Sequence, residues 1–262
     1  MKLNVSAVQC RVGGKDALES AERVISSSES NLYLLPEYFS YPVGDRSLET
    51  SKKTVKWLEE ISMEYSAIIA GNAIRENQDG YYNTLYIFDS GELVGTQDKI
   101  HPTASERALG IKCGRRLEMF EIQGVKISAL ICADILYPEL CRIPGLKEVD
   151  VILNPVVSFK KSELPAQEYR YCLYFTRSFD NSYAIVKAGG FGKTFLGEEC
   201  VGRSLISMPD GIAARYSSEE REELVMAEVN LKKLQDYRKV NYSLRDRNPS
   251  ALKDLLDGGI EC

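Results

Sequence analysis

The chain has 262 residues, 33 Lys and Arg against 38 Asp and Glu, a formal net charge of −5 and 44% hydrophobic residues. These are the values of an ordinary globular protein that is long enough to bury a core without disulfides or metal. A net negative charge gives no electrostatic reason to expect nucleic acid or an anionic membrane surface as a partner. No stretch of the sequence approaches 18 uninterrupted apolar residues, so we expect no membrane span.

The histidine and cysteine content restricts the chemistry further. The chain has one histidine, His101, which excludes a His-rich zinc site. Its seven cysteines include no Cys-x-x-Cys pair, which argues against a thiolate zinc site. We expect neither a metal nor another cofactor. The first residues lack the long apolar region of a signal peptide, and we therefore expect a cytoplasmic protein with free thiols. One of those thiols is a candidate nucleophile.

Motifs for nucleotide cofactors and for a serine nucleophile are incomplete. The segment GGFGKT (189–194) looks like a phosphate loop, but the Walker pattern needs glycine at position 187, which is Lys187. Ser204 lies in GRSLI, which lacks the second glycine of a nucleophile elbow. No GxGxxG motif follows a strand, so a dinucleotide site is not expected.

The hydrophobic pattern predicts alternating strands, helices and hairpins. In the first half of the chain these are a strand at 3–9, a helix at 15–30, a strand at 31–37, a helix at 47–66, a strand at 67–73 and hairpins at 84–99 and 120–132. In the second half they are a helix near 136–143, a strand at 149–155, a helix across 165–180, and strands in SYAIVKAG, RSLISMPDGIAARY and ELVMAEVNL. A mixture of βα crossovers and hairpins favours a layered α/β fold. No linker interrupts the pattern, so we expect one domain over 1–262.

Three chemically distinctive residues follow predicted strands. Glu37 ends LYLLPE, Lys99 ends LVGTQDK and Cys132 ends ISALIC. Each has an ordinary explanation by itself: a capping carboxylate, a surface lysine and a small buried thiol. Ligands collect at the carboxyl ends of strands in α/β sheets, and a base, a cation and a thiol are the parts of an acyl-transfer site.

The segments around these residues resemble a known family. LLPEYF, DKIHPTASERALGIKCG and ALICADILYPEL are similar to the three catalytic blocks of the nitrilase, or carbon–nitrogen hydrolase, superfamily. The resemblance continues through RSFDNSYAIVKAGG, GRSLISMPDG and the segment that begins AEVNLKKLQ. It implies a four-layer α-β-β-α sandwich that assembles as a homodimer or a higher homo-oligomer.

The resemblance also implies a role for each matching residue. Cys132 would be the nucleophile, Glu37 the general base and Lys99 the stabiliser of the oxyanion. Glu106 would be a fourth catalytic residue that positions Lys99 and substrate. The resemblance also places Ala133 and Asp134 in the substrate-binding part of the site. Ala133 would contribute its backbone N–H, and Asp134 would orient the turn. His101, within the lysine block, is interpreted as support for its loop.

These roles predict a carbon–nitrogen hydrolase of a small amide that works through a thioester. The small residue Ala133 and the aspartate Asp134 replace the bulky aromatic and glutamate residues that nitrile hydrolases of the family tend to carry. This departure favours amides or carbamoyl compounds over nitriles. The same residues could also hydrolyse an N-carbamoyl amine or a nitrile. A further alternative is a non-catalytic scaffold protein with the same fold.

Overall fold

The structure is a computed structural model that describes residues 1–160, 170–248 and 250. One six-stranded sheet has the strand order β15-β1-β3-β4-β5-β6. Its strands are β1 (Lys2–Gln9), β3 (Leu32–Leu34), β4 (Ile68–Asn77), β5 (Gly80–Asp89), β6 (Glu92–Asp98) and β15 (Glu223–Asn230). Strands β1, β3 and β4 are parallel, whereas β15, β5 and β6 pair antiparallel.

A second six-stranded sheet has the order β14-β13-β10-β9-β8-β7. Its strands are β7 (Met119–Ile122), β8 (Val125–Ala129), β9 (Val151–Val156), β10 (Ala184–Gly189), β13 (Leu205–Met208) and β14 (Gly211–Arg215). Here β8, β9 and β10 are the parallel strands. A small third sheet joins β2 (Arg11–Val12), β11 (Phe191–Lys193) and β12 (Glu199–Cys200).

Helices pack on the outer faces of the two large sheets. The α-helices of the described residues are α1 (Ala17–Ile25), α2 (Leu48–Tyr65), α3 (Ala104–Ala108), α4 (Pro138–Leu146), α5 (Arg170–Asn181), α6 (Leu231–Val240) and α7 (Tyr242–Arg245). Helices α1 and α2 contact β1 and β4, and α5 contacts β10 and β13. A short 3-10 helix (Cys132–Leu136) follows β8.

Three buried clusters separate the layers. The largest holds side chains of both sheets, such as Val5 and Leu34 of the first and Ile127 and Val186 of the second. A second cluster fills the space between the first sheet and α1 and α2, and a third lies between the second sheet and α4 and α5. The order of layers is therefore helix, sheet, sheet, helix, which confirms the α-β-β-α sandwich.

Most predicted elements are present, with bounds that differ by a few residues at one or both ends. The helix predicted at 15–30 is α1 (Ala17–Ile25), because the serine-rich stretch after it favours turns over helix. The pattern missed the β4–β5 hairpin, which turns just before Gly80, and it missed helix α6. Residues 165–169 of the predicted 165–180 helix lie outside the described residues.

The cysteine prediction is partly wrong. Five cysteines are free thiols, namely Cys10, Cys132, Cys141, Cys172 and Cys200. Cys113, however, takes part in a disulfide. Disulfide formation depends on the distance between Cα atoms in space, which the spacing of cysteines along a chain does not reveal. Within the described ranges, no helix is long and apolar enough to cross a membrane.

Gly71 in β4 lets helix α2 lie close to the sheet. A Cβ at this position would be 2.8 Å from Cδ2 of Leu58 and 3.2 Å from Cε1 of Phe39. We therefore expect Gly71→Val to overpack this interface and to lower the free energy of unfolding by about 1–3 kcal/mol, measured by urea denaturation. In a Leu58→Ala background the same substitution should cost less, because the nearest obstructing atom, Cδ2 of Leu58, is gone. An equal cost in both backgrounds would contradict this packing.

Candidate active site

A buried lysine lies between two carboxylates. Lys99 follows β6 directly, and its side chain is 1% exposed. Its Nζ donates to Oε1 of Glu37 at 2.8 Å and to Oε2 of Glu106 at 2.7 Å. Burying an ion costs several kcal/mol unless partners of opposite charge and hydrogen bonds surround it. Here one ammonium has two carboxylate partners, so the cluster carries a net negative charge.

The loop after β3 presents Glu37 to this lysine. The side-chain amide of Asn83, in β5, donates to Oε1 of Glu37 at 2.8 Å, and the N–H of Val157 donates to Oε2 at 3.2 Å. Asn83 also donates to Oε1 of Glu106 at 3.0 Å, and its own oxygen accepts from Asn72 at 2.9 Å. Asn83 therefore fixes both carboxylates relative to Lys99.

The first turn of helix α3 positions Glu106. Thr103 is the N-cap of this helix, and it forms a capping box with Glu106, whose Oε2 accepts the Thr103 N–H at 2.8 Å. The hydroxyl of Tyr38 donates to Oε1 at 2.8 Å. Glu106 thus caps the first turn of the helix and accepts a hydrogen bond from Lys99 with the same carboxylate.

Cys132 occupies the sharp turn between β8 and the 3-10 helix. Its φ of 50° lies in the left-handed region that non-glycine residues rarely adopt. The side-chain amide of Asn154, in β9, donates to the carbonyls of Leu130 and Cys132, and its oxygen accepts the Tyr174 hydroxyl at 2.8 Å. Neighbouring strand and helix side chains therefore hold the backbone of Cys132 in this conformation.

Asp134 connects the cysteine turn to the lysine loop. Its buried carboxylate accepts the N–H groups of Ile131 at 3.1 Å, Ile100 at 3.2 Å and His101 at 2.8 Å. The His101 ring also contacts it, with Nδ1 3.0 Å from Oδ1. These contacts agree with the interpretation of Asp134 as the residue that orients the turn, but the carboxylate faces backbone rather than the cavity described below.

The two glutamates have opposite pKa shifts. Burial raises the pKa of Glu37, and the negative charge of Glu106 adds to this, while Lys99 opposes it. Burial also disfavours the charge of Glu106, but the ammonium of Lys99 and four hydrogen bonds outweigh burial, so its pKa is lowered. Two carboxyl groups whose environments separate their pKa values can take different roles, one moving a proton and the other remaining ionised.

The thiol of Cys132 borders this charged cluster. It is partly exposed because it lines a cavity. Burial by the surrounding protein and the charge of Glu37 nevertheless raise its pKa to about 12, against the opposing effect of Lys99. Burial works against the charge of Lys99, but Glu37, the thiolate form of Cys132 and Glu106 together raise its pKa. The resting site therefore favours a thiol beside a carboxylate and an ammonium.

A cavity of about 450 Å³ opens on the thiol. Ala133 lines it next to Cys132, and Thr103 marks its border with the lysine loop. The remaining lining residues are mostly apolar: Ile135, Leu136, Val156, Val157, Ser158, Phe159, Arg170, Leu173, Tyr174 and Lys187. Such a space suits a small molecule with a polar group at the thiol and an apolar portion along the wall.

The structure brings the side chains of Glu37, Lys99, Glu106 and Cys132 together. Sequence reasoning missed three residues that hold them, namely Asn83, Asn154 and Tyr38. Asn83 and Asn154 are fully buried within the apolar strand segments YYNTLYIF and VILNPVV. A polar side chain in the middle of a buried strand needs a hydrogen-bond partner. The sequence alone could therefore have indicated that these two asparagines make specific contacts.

Comparison with known proteins identifies the family. Residues 9–239 match the family described as carbon-nitrogen hydrolase. The chain is 29% identical over 254 residues to the 2-oxoglutaramate amidase of Bacillus subtilis, covering 91% of this chain and 95% of that protein. It is 25% identical over 251 residues to a nitrilase of Pyrococcus abyssi, covering 90% and 88%. The chain belongs to the carbon–nitrogen hydrolase family.

Solved structures share the fold. The carbon-nitrogen hydrolase of Helicobacter pylori G27 superposes with a TM-score of 0.86 at 18% identity, covering 99% of this chain and all of that chain. An amidase of Nesterenkonia sp. AN1 superposes with a TM-score of 0.79 at 17% identity, covering 97% and 96%. That structure is a glutamate-to-glutamine mutant with the acetamide moiety of fluoroacetamide covalently added to its active-site cysteine.

Replacing Glu37 by glutamine tests the electrostatics of the thiol. After burial, the charge of Glu37 is the next cause that raises the pKa of Cys132. Glu37→Gln removes that charge and leaves Lys99 less neutralised, so we expect the pKa of the thiol to fall. The pH dependence of inactivation by iodoacetamide measures this, and its midpoint should move to lower pH. Glu64→Gln, on the exposed face of α2, is the control, and an unmoved midpoint in Glu37→Gln would contradict the assignment.

Proposed function

We propose that this carbon–nitrogen hydrolase cleaves the C–N bond of a small amide through a thioester on Cys132. The observation that carries the proposal is the pair of glutamates with opposite pKa shifts around Lys99, next to a thiol at the end of a cavity. A base with a raised pKa, a fixed cation and a nucleophile are the parts that acyl transfer requires.

In the first half of the reaction Cys132 attacks the amide carbonyl. Glu37 takes the thiol proton as the C–S bond forms, because its raised pKa makes it a better proton acceptor than an ordinary carboxylate. The ammonium of Lys99 and the backbone N–H of Ala133 stabilise the negative oxygen of the tetrahedral intermediate. Glu37 then gives its proton to the nitrogen, the C–N bond breaks, and ammonia leaves.

In the second half water hydrolyses the thioester. Glu37, again ionised, takes a proton from water as the oxygen attacks the thioester carbonyl. The same donors stabilise the second tetrahedral intermediate. Its collapse breaks the C–S bond, the departing thiolate takes back the proton that Glu37 holds, and the carboxylic acid product leaves. One group acts as base and as acid in turn, so each half-reaction returns Glu37 to the state that the next one needs.

Glu106 is assigned to positioning Lys99. Its lowered pKa keeps it ionised through the cycle, so Lys99 retains a negative partner while Glu37 carries a proton. Without that partner the ammonium would lose part of the attraction that fixes it 2.7 Å from a carboxylate oxygen. This division of roles follows from the separated pKa values of the two glutamates.

Two of the relatives support amides as the substrate class. The Bacillus subtilis relative is a 2-oxoglutaramate amidase, and a Danio rerio relative, 25% identical over 258 residues, is an omega-amidase. The covalent adduct in the Nesterenkonia amidase supports the choice of Cys132 as nucleophile. N-carbamoyl amines and nitriles are the alternatives to be compared with amides in the same assay.

Ammonia release from amides, N-carbamoyl amines and nitriles tests the proposal. We expect release from at least one amide, abolished in Cys132→Ala and unchanged in Cys172→Ala, which removes an exposed free thiol away from the cavity. Lys99→Met should lower kcat by about 10²–10³, the usual effect of losing one oxyanion donor. Full activity of Cys132→Ala would overturn the mechanism, and release from nitriles or carbamoyl compounds alone would overturn the substrate class.

A further inference from the structure

One buried lysine has no role in the mechanism above. Lys187 lies in β10, and the residue is 2% exposed. Its Nζ donates to the carbonyl oxygen of Arg203 at 2.7 Å and lies 5.3 Å from the centre of the Tyr174 ring. A lysine is almost never buried to this degree without a carboxylate partner. The contacts that the structure gives Lys187 are a neutral carbonyl and an aromatic face.

Lys187 lines the same cavity as the thiol. In the register of the second sheet it pairs with Asn154, whose side chain holds the Cys132 carbonyl. Both side chains reach Tyr174 of α5, so they lie on the same, helix-facing side of the sheet. The cavity therefore has a nucleophilic thiol and an amine on neighbouring parts of one wall.

The described residues of the cavity wall offer this amine no carboxylate, and Arg170 adds a second positive charge. Ile135, Leu136 and Leu173 supply apolar surface beside the thiol and the amine. A ligand that matches this wall has a reactive group at the thiol, an aliphatic portion and an anionic group at the amine.

We propose that Lys187 selects amides whose acyl portion ends in a carboxylate, by binding that carboxylate while the amide carbon faces Cys132. This inference rests on the proposed function and narrows its substrate class. An ammonium that has donated one hydrogen to Arg203 has two left, which can be donated to the carboxylate of a bound substrate. Charged hydrogen bonds of this kind are stronger than neutral ones, so the preference should be large.

Matched pairs of amides measure the preference. Succinamate and 4-oxopentanamide have the same shape around the amide, but only the first carries a carboxylate, and glutaramate with 5-oxohexanamide forms a longer pair. For each pair we divide kcat/KM of the anionic amide by kcat/KM of the neutral amide. This ratio reports how strongly the carboxylate is bound, because the chemistry at Cys132 is the same for both amides. We expect this ratio to fall at least tenfold in Lys187→Met, the size of effect expected when a charged hydrogen bond is lost.

Two further variants serve as controls. Lys193→Met removes the same charge from an exposed position in β11, and the ratio should remain at the wild-type value. Lys187→Gln keeps a hydrogen-bond donor without the charge, and it should lose the preference as Lys187→Met does. Thermal melting checks that both Lys187 variants fold. If either folded variant keeps the wild-type ratio within twofold, the proposal is overturned.

The pH dependence of the same ratio is a second test. Burial and the positive charges of Arg170 and Arg203 lower the pKa of Lys187 to about 7. The groups that act on it from the surrounding elements are Arg170, Tyr174, Arg203, Cys132 and Glu219. A lysine loses its positive charge as pH rises through its pKa, so the ratio should decline above pH 7 in wild type and stay flat in Lys187→Met. A flat wild-type profile would overturn the proposal.

Alkylation of Cys132 separates this inference from the proposed function. Iodoacetate and iodoacetamide react with a thiolate by the same displacement of iodide, but only iodoacetate carries a carboxylate. We expect the rate ratio, iodoacetate over iodoacetamide, to fall in Lys187→Met relative to wild type. This assay needs no amide turnover, so it decides the role of Lys187 even if no amide is hydrolysed. An unchanged alkylation ratio would overturn the role of Lys187 and leave the proposed amide hydrolysis standing.

Discussion

Two carboxylates share one buried ammonium in this protein, and the site depends on that arrangement. Lys99, Glu37 and Glu106 are all almost fully buried, and an uncompensated charge there would cost several kcal/mol. The hydrogen bonds of Asn83, Tyr38 and the Thr103 N–H offset that cost by satisfying the carboxylate oxygens. Burial outweighs the attraction of Lys99 at Glu37, whereas Lys99 and the hydrogen bonds outweigh burial at Glu106, and this difference separates the pKa values of the two glutamates.

The sandwich explains how residues that are far apart in the chain meet. Glu37 and Lys99 follow strands of the first sheet, whereas Cys132 follows a strand of the second. The apolar cluster between the sheets fixes the two strand ends relative to each other. Two further contacts cross between the loops: the Val157 N–H to Glu37 and the carboxylate of Asp134 to the lysine loop. A shift of one sheet against the other would therefore separate the thiol from the carboxylate.

The sequence predicted the layered fold because strand and helix periods leave a mark on local pattern. Glu37 and Cys132 each follow an apolar run. The roles of these two residues, and of Lys99 and Glu106, came from the resemblance of their segments to the catalytic blocks of the family. The supporting residues were harder to find, since Asn83 acts through contacts 46 and 23 positions away in the chain and Asn154 through contacts 24 and 22 positions away. Lys187 was noted only as a mismatch to a phosphate loop, because its depth and its place beside Cys132 depend on how β10 packs against α5.

Intact-protein mass spectrometry can detect directly whether the acyl group of the substrate becomes attached to Cys132. Glu37→Gln should slow hydrolysis of the thioester more than its formation. The lower pKa expected for the thiol in this variant partly replaces the base in the first half-reaction, whereas no group replaces Glu37 in activating water. Rapid quenching of this variant with an amide that wild type hydrolyses should reveal an adduct with the mass of the amide minus ammonia. Peptide mapping should locate that adduct on Cys132. An acyl group on any other residue, or wild-type turnover with no adduct on Cys132 in either protein, would contradict the account.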